Sequence, residues 1–403
     1  MPNHETAESI TDFTNNPKDV PGVSQSHKPG SIKKLSEVSK KEKMKKNGLI
    51  ILGVVVGGII ILGLAYLFGA RGDGILRSPL GGDSNLSSGG TVVNPLTGEL
   101  VSAAAAQAWQ NVRPLAVMVN NHVDARPQSG LIYADLVYEI VAEGGITRMM
   151  PFFLSNIPEK IGPVRSTREY YLVLVKELGD AMLMHIGWSP QALEAIENWP
   201  VRSLGRGGGQ FWRDTSLNVA TEHTAYVNGK DLLQVALDLG WEGTRPFQVW
   251  QFKDEAGEYD LLPSASHVTI DFWYPGEYSA EFDYDAASNE YLRFLGYDEA
   301  DNPIPHVDRE TNQQIRVKNL IVQFVTETSI AGDEKGRLFY EFEGSGSGLV
   351  FIDGKVINVT WSKAGRDERT MFYDLNGEEI KFNRGKFWIS VVPDRNVDQV
   401  VYN

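Results

Sequence analysis

Residues 137–155 read VYEIVAEGGITRMMPFFLS and carry the clearest structural signal in the chain. Two runs rich in β-branched and aromatic residues, Val137–Glu143 and Ile146–Ser155, flank Gly144-Gly145. Two glycines between such runs are typical of a tight β-hairpin. The expected register pairs Glu143 with Ile146, Val141 with Arg148 and Glu139 with Met150.

One face of this predicted hairpin collects charged residues. Because side chains alternate along a strand, Glu139, Glu143 and Arg148 are expected to share a face, with Arg148 diagonal to both carboxylates. Such a cluster is either a solvated set of ion pairs, worth about 0–1 kcal/mol per pair, or a catalytic group in which Glu139 or Glu143 acts as a general base. Both interpretations remain open at this point.

The segment GPVRSTRE, residues 162–169, predicts a helix start, with Ser166 and Glu169 at the spacing of a capping box. Arg165 then lies just before the helix and Arg168 in its first turn, where a positive charge opposes the helix dipole. Free backbone N–H groups beside two guanidinium groups favour an anion site. The alternative, given equal weight, is that both arginines pair with nearby carboxylates such as those of the hairpin.

Further candidates follow two apolar runs that suit buried strands. Arg126 lies in a loop after Pro114–Asn120, at a strand end where open α/β sheets usually bind ligands. His185 ends the run Ala181–Ile186 and is interpreted as a core histidine in preference to a site residue, while His223 lies in a loop without a readable role. The ligand-binding candidates are therefore Arg126, Arg148, Arg165, Ser166 and Arg168, and the catalytic candidates are Glu139, Glu143 and His185.

Composition excludes several classes of protein. The 403 residues include no cysteine, which excludes disulfides, thiolate metal sites, a cysteine nucleophile and a lipidated cysteine. The seven histidines show neither HxH nor HExxH spacing and the glycine-rich stretch 205–209 fits no nucleotide-binding motif, so neither a metal nor a cofactor is expected. The net charge is −14; because residues 1–46 carry +3, the remainder carries −17 and is not expected to bind nucleic acid.

The pattern of apolar runs changes near residue 246. Before it, short apolar runs alternate with three predicted helices, Ser166–Leu178, Ser189–Asn198 and Asn228–Leu239, which indicates an α/β domain. After it, aromatic and β-branched runs separated by turn signals such as Asp353-Gly354 predict a mainly β domain. The expected fold class is thus α+β, an N-terminal α/β domain followed by a mainly β C-terminal domain, preceded by one transmembrane helix.

The predicted segments are a disordered cytoplasmic tail (1–46), the transmembrane helix (47–70), a Gly/Ser-rich linker (71–94), an extracytoplasmic α/β domain (95–245) and an extracytoplasmic β-rich domain (246–403).

The transmembrane prediction rests on Gly48–Ala70, an apolar run without a charge that is long enough to cross a bilayer as a helix. Seven lysines crowd the segment 33–46 on its N-terminal side, whereas only Arg71 and Arg77 lie close on the other side. The positive-inside rule therefore predicts a single-pass signal-anchor in the cell membrane, with the N-terminus cytoplasmic and the rest extracytoplasmic. Gly53 and Gly57 form a GxxxG motif, a weak indication of dimerisation within the bilayer.

Several strings together resemble the YerB-like family of bacterial lipoproteins, whose members carry a two-part domain of unknown function (domain of unknown function 3048, N- and C-terminal parts). The resemblance implies an N-terminal α/β part, a β-rich C-terminal part and a place on the outer membrane face, but no established activity. Two departures stand out: the lipidated cysteine of the family is replaced by an uncleaved helix, and Ala220–Tyr226 matches only loosely. The matching strings are NPLTGE (94–99), RPLAVMVNNH (113–122), RPQSGL (126–131), ADLVYEIVAEGGITR (134–148), EKIGPVRSTR (159–168), SPQALEAI (189–196), FWRD (211–214), KNLIVQ (318–323) and KFWISVV (386–392).

Three functional hypotheses follow. The first is a membrane-anchored extracytoplasmic protein of the cell envelope that binds an anionic small molecule or cell-wall component through the arginine cluster. The second is an envelope hydrolase or group transferase that uses Glu139 or Glu143 beside an arginine clamp. The third is a protein-interaction scaffold in which the arginines and glutamates are structural. Whether the chain is an enzyme is left open.

Overall fold

The computed structural model describes residues 90–403, apart from 206–209, 255–256 and 258. These residues form a compact unit. The predicted cytoplasmic tail, the transmembrane run with its GxxxG motif and nearly all of the linker lie outside the described residues. Among the described residues, no helix combines the length and the apolar composition that crossing a bilayer requires.

Strands dominate the described part of the chain, and the few α-helices are short. The helices are α1 (Ala103–Ala106), α2 (Glu169–Glu177), α3 (Pro190–Asn198) and α4 (Gly229–Asp238), with 3-10 turns at Val123–Ala125, Leu131–Tyr133, Thr221–His223 and Asp394–Gln399. The strands are β1 (Thr91–Val93), β2 (Leu100–Ser102), β3 (Leu115–Val117), β4 (Val119–Asn120), β5 (Leu136–Glu143), β6 (Ile146–Phe153), β7 (Met182–Met184), β8 (Arg202–Ser203), β9 (Trp212–Arg213), β10 (Ala225–Tyr226), β11 (Gln251–Lys253), β12 (His267–Ile270), β13 (Ala280–Asp285), β14 (Glu290–Tyr297), β15 (Pro303–Pro305), β16 (Arg316–Val317), β17 (Asn319–Val325), β18 (Glu327–Ser329), β19 (Leu338–Tyr340), β20 (Gly344–Ile352), β21 (Lys355–Lys363), β22 (Met371–Tyr373), β23 (Lys381–Asn383), β24 (Phe387–Pro393) and β25 (Val400–Tyr402).

One large mixed sheet runs through both predicted regions. Its order is β22-β21-β20-β17-β24-β5-β6-β3-β7-β8, with β4 also paired to β6. The junction is the parallel ladder between β24 and β5, which runs from Phe387 opposite Leu136 to Val391 opposite Ile140. Both strands are almost wholly buried, as continuous apolar runs in a parallel pairing should be. The α+β class is therefore confirmed in its coarse form, with the two regions joined in one sheet.

A second sheet comes from the C-terminal region alone. Its order is β15-β14-β13-β12-β25, with β16 beside β14. Its inner face packs against the large sheet, where the ring of Phe282 lies 6.4 Å from that of Trp388. The described residues after 246 are therefore mainly β, as the sequence predicted.

The predicted helix starts were right in two cases and wrong in one. Ser189 caps α3 by accepting a hydrogen bond from the Ala192 N–H at 3.1 Å, and Asn228 caps α4. The capping box at Ser166 does not form: Val164 and Thr167 make β-bridges to Val119 and Trp188, and α2 begins only after Arg168, whose side chain makes no capping bond. The predicted linker (71–94) also extends too far, because its residues Thr91–Val93 already form β1, which pairs with β2.

The hairpin is confirmed, but its register is not the predicted one. Glu143 does face Ile146, yet a bulge between Val141 and Glu143 shifts every earlier pair by one residue. Glu139 therefore lies opposite Met149, not Met150. Because a one-residue shift exchanges the two faces of a strand, Glu139 points away from the face that carries Glu143 and Arg148.

Candidate functional site

Glu139 lies in the interior of the molecule, where four donors saturate its carboxylate. Oε2 accepts from Arg293 Nη2 at 2.7 Å and from the Trp388 indole N–H at 3.0 Å. Oε1 accepts from Thr147 Oγ1 at 2.8 Å and from Asn121 Nδ2 at 3.4 Å. The side chains of Glu139 and Arg293 are both fully buried. A carboxylate without solvent access and without a free lone pair is poorly placed to take a proton from a substrate.

This buried network continues across the junction between the two regions. Arg293 Nη1 donates to His306 Nδ1, and His306 Nε2–H donates to Gln128 Oε1 at 2.8 Å. Burial, together with the Arg293 guanidinium, holds the pKa of His306 far below its usual range, so the ring is neutral. Gln128 in turn donates to Asn121 Oδ1 at 2.9 Å. The network is thus a structural core that ties the N-terminal region to the C-terminal one.

Glu143 is shared by two of the predicted ligand-binding arginines. Arg168 Nε donates to Glu143 Oε1, and Arg148 Nη2 lies 3.5 Å from Glu143 Oε2. Backbone carbonyls hold the other ends of both guanidinium groups: Arg148 donates to Ser166 O at 2.6 Å and Arg168 to Thr167 O at 2.7 Å. Burial lowers the pKa of Arg148, and the nearby Arg168 adds to that effect. The sequence suggested that Glu143 lies near Arg148 and Arg168, and in the structure both arginines form ion pairs with Glu143.

Arg165 differs from its two neighbours because it lies at the surface. Its guanidinium is 3.4 Å from the carboxylate of Glu222, and both side chains are substantially exposed. Arg165 is therefore accessible to a ligand. The ligand would have to compete with Glu222, but a solvent-screened ion pair of this kind contributes little energy.

Arg126 is the predicted ligand-binding arginine that has no carboxylate at ion-pair distance among the described residues. Its Nε and Nη2 donate to the Asn121 carbonyl at 3.2 and 3.1 Å, and its guanidinium lies 5.1 Å from the centre of the Tyr278 ring. No carboxylate of the described residues lies within the 4.0 Å of an ion pair. Burial lowers the pKa of Arg126 to about 10, and Arg293 contributes in the same direction, whereas Tyr278 and the more distant carboxylates of Glu139 and Glu277 act against this shift. The result is a half-buried cation bound only to neutral oxygen acceptors.

His185 is a core histidine, as the sequence favoured. It is fully buried, its Nδ1–H donates to Gly187 O at 2.8 Å, and its Nε2 accepts from Ser203 Oγ at 2.8 Å. Burial lowers its pKa to about 4. Both ring nitrogens are occupied, which leaves none for a substrate.

A further group of polar side chains meets beside Arg165, and sequence reasoning missed it. His122 and His223 stack with ring centres 4.5 Å apart, and Asp124 Oδ2 lies 3.6 Å from His122 Nδ1. Asn120 lies behind them and is separated from His223 by 103 residues. No local spacing could reveal the group, because the fold alone brings the loops after β4 and before β10 together.

Comparison with known proteins identifies the family. The chain belongs to the DUF3048 family: residues 96–242 match its N-terminal domain and residues 268–389 its C-terminal domain, and both descriptions read "protein of unknown function". It is 34% identical over 293 residues to "Putative lipoprotein YerB" of Bacillus subtilis (strain 168), covering 70% of this chain and 82% of that protein. The crystal structure of YerB from Bacillus subtilis matches with a TM-score of 0.66 at 30% identity, over 77% of this chain and 99% of that one. The YerB-like resemblance is therefore confirmed.

Proposed function

We propose that this chain is a membrane-anchored, extracytoplasmic protein of the cell envelope that binds an anionic small molecule or cell-wall component through Arg126. The envelope location is supported by the apolar run Gly48–Ala70 with its lysine flank, and by a family relative described as a lipoprotein. Because the chain offers no cysteine for lipidation, the anchor in this proposal is the apolar run Gly48–Ala70.

The observation that carries the anion-binding proposal is the charge of Arg126. A cation that is partly removed from water pays a desolvation cost, which a carboxylate at ion-pair distance would offset. The hydrogen bonds of Arg126 go only to neutral acceptors, and the carboxylates of Glu139 and Glu277 act on it from a distance, so a phosphate or carboxylate of a ligand would supply a negative charge in direct contact. Arg165 is the second accessible guanidinium, whereas Arg148 and Arg168 are already held by Glu143.

The geometry offers less support for an envelope hydrolase or transferase based on Glu139 or Glu143. Donors occupy both oxygens of Glu139, and guanidinium groups bind both oxygens of Glu143. A scaffold role is the second candidate function, and the mutual pairing of Glu143, Arg148 and Arg168 is the observation that favours it. In that case the arginine and glutamate groups serve stability alone.

Thermal melts of the full-length protein in detergent can test the proposal. Millimolar phosphate or acetate, compared with chloride at equal ionic strength, should raise the melting temperature, because a ligand that binds only the folded state stabilises it by RT ln(1 + [L]/Kd). Arg126→Gln should remove the response. The matched control is Arg316→Gln, which removes an exposed arginine paired with Glu290 at 3.3 Å. An equal response to all three anions, or an unchanged response in Arg126→Gln, would overturn the proposal.

A further inference from the structure

His122, Asp124 and His223 bring three metal-ligating side chains close together. One nitrogen or oxygen from each residue lies within 4.8 Å of the other two. We propose that this group binds a divalent transition-metal ion such as Zn²⁺. The proposal is independent of anion binding at Arg126, because it uses different residues and a different ligand.

The local fold builds the group around Asn120, the last residue of β4. Its Oδ1 accepts from the His122 backbone N–H at 3.0 Å, and its Nδ2 donates to His223 Nδ1 at 2.7 Å. His122 then caps the 3-10 turn Val123–Ala125, which holds Asp124 beside its ring. His223 ends a second 3-10 turn in the opposite loop. One side chain thus positions both imidazoles relative to each other.

The donor set suits a transition metal. Two imidazole nitrogens and one carboxylate oxygen are the three protein ligands typical of zinc sites that leave a fourth position for water or substrate. The same set also serves other first-row divalent ions. Such a set is too small and too rich in nitrogen for Ca²⁺ or Mg²⁺, which prefer oxygen ligands in larger number.

Burial and charge are compatible with loading from solvent. His223 is 4% exposed and forms the base of the site, whereas the side chains of His122 and Asp124 are 33% and 50% exposed and form its rim. Asp124 supplies a negative charge. The nearby Arg165 would repel a cation, but it is paired with Glu222 at 3.4 Å.

Asn120 gives the proposal its sharpest test. As an N–H donor to His223 Nδ1 it leaves the ring proton on Nε2, the nitrogen that points away from Asn120. A metal on Nε2 requires that proton on Nδ1, so metal binding in the wild type has to break the hydrogen bond from Asn120, whereas an acceptor at this position would support it. Asn120→Asp supplies such an acceptor while its second oxygen still accepts from the His122 N–H. This variant should therefore bind the metal more tightly, by about 10–100-fold on the scale of such supporting hydrogen bonds.

The experiment uses the full-length protein, purified without a polyhistidine tag and stripped with EDTA. Competition with a chromophoric chelator should show one Zn²⁺ bound per chain, and Co²⁺ should give a visible absorption band. His122→Ala and Asp124→Asn, which change only rim residues, should weaken binding by about tenfold or more and lose the band. His267→Ala is the matched control, an exposed histidine that lies 2.6 Å from Asp283 on another sheet. Wild-type affinity in His122→Ala, an equal loss in His267→Ala, or weaker binding in Asn120→Asp would each overturn the proposal.

Discussion

Arg293 donates a hydrogen bond to Glu139 at 2.7 Å, and neither side chain is exposed to solvent. The two residues come from different regions of the chain, 154 positions apart. The ring of Trp388 completes the enclosure, with the Arg293 guanidinium 4.3 Å from its centre. An ion pair in this position links the two regions, because the contact between them buries both charges and each charge is the other's partner there.

Breaking this pair should therefore be costly. Arg293→Met leaves the Glu139 carboxylate buried without its cation, and we expect the free energy of unfolding to fall by about 3–5 kcal/mol. Urea unfolding of the full-length protein measures the change. Arg316→Met, which breaks an exposed pair with Glu290, should cost less than about 1 kcal/mol. Similar losses in the two variants would show that the buried pair has no special role.

Substitution of Arg168 should cost more stability than substitution of Arg165, although the two residues are near neighbours. Arg168→Ala removes a guanidinium that binds the Glu143 carboxylate and the Thr167 carbonyl, so stability should fall by about 1–3 kcal/mol. Arg165→Ala removes only a solvent-screened contact with Glu222, so the change should stay below about 1 kcal/mol. Thermal melts of the two variants decide the matter, and equal destabilisation would contradict the assignment.

Local signals were sufficient for much of the fold. Gly144-Gly145 predicted the hairpin, the Ser189-Pro190 pair predicted the start of α3, and Asp353-Gly354 predicted the turn between β20 and β21. Each of these depends on backbone conformations that a few adjacent residues determine. For Asp353 and Gly354, both φ angles are positive, as a tight hairpin of this type requires.

The candidate site was predicted only in part, because it depends on long-range structure. The bulge before Glu143 has no local marker, yet it decides that Glu143 meets Arg148 while Glu139 turns into the core. Arg293, the partner of Glu139, lies in the other region and could not be inferred from spacing. The same holds for His122 and His223, which only the folded chain brings together.

Stability should fall on mild acidification because of buried histidines. Burial lowers the pKa of His185 to about 4, against about 6.5 in an unfolded chain. Between these values the unfolded state binds a proton that the folded state does not, so the stabilisation present above pH 6.5 is lost as the pH falls toward 4. His306 acts in the same direction, because its pKa is also lowered by burial. Each such histidine contributes at most about 1.4 kcal/mol per pH unit.

Urea unfolding at a series of pH values from 7.5 to about 5 measures this dependence. His185→Gln should flatten the curve, since it removes the titrating ring. Ser203→Ala is the matched control: it removes the hydroxyl that donates to His185 Nε2 but keeps the ring, so it should lower stability while retaining the slope. A slope unchanged in His185→Gln would show that this histidine does not account for the acid sensitivity.

The orientation in the membrane gives the last prediction. Seven lysines lie within residues 33–46 and only Arg71 and Arg77 close to the other end of the apolar run, so the N-terminus should stay in the cytoplasm. With one epitope before Met1 and another after Asn403, protease added to intact cells should remove the C-terminal epitope and spare the N-terminal one. Permeabilised cells, in which both epitopes should be lost, provide the control for protease access. Replacing the seven lysines with glutamine should produce a mixed orientation, because the excess of positive charge on the N-terminal side is then lost and only Arg71 and Arg77 remain at the other end. Protection of the C-terminal epitope in the unmodified protein would place the whole folded unit on the cytoplasmic side and would exclude a role at the outer membrane face.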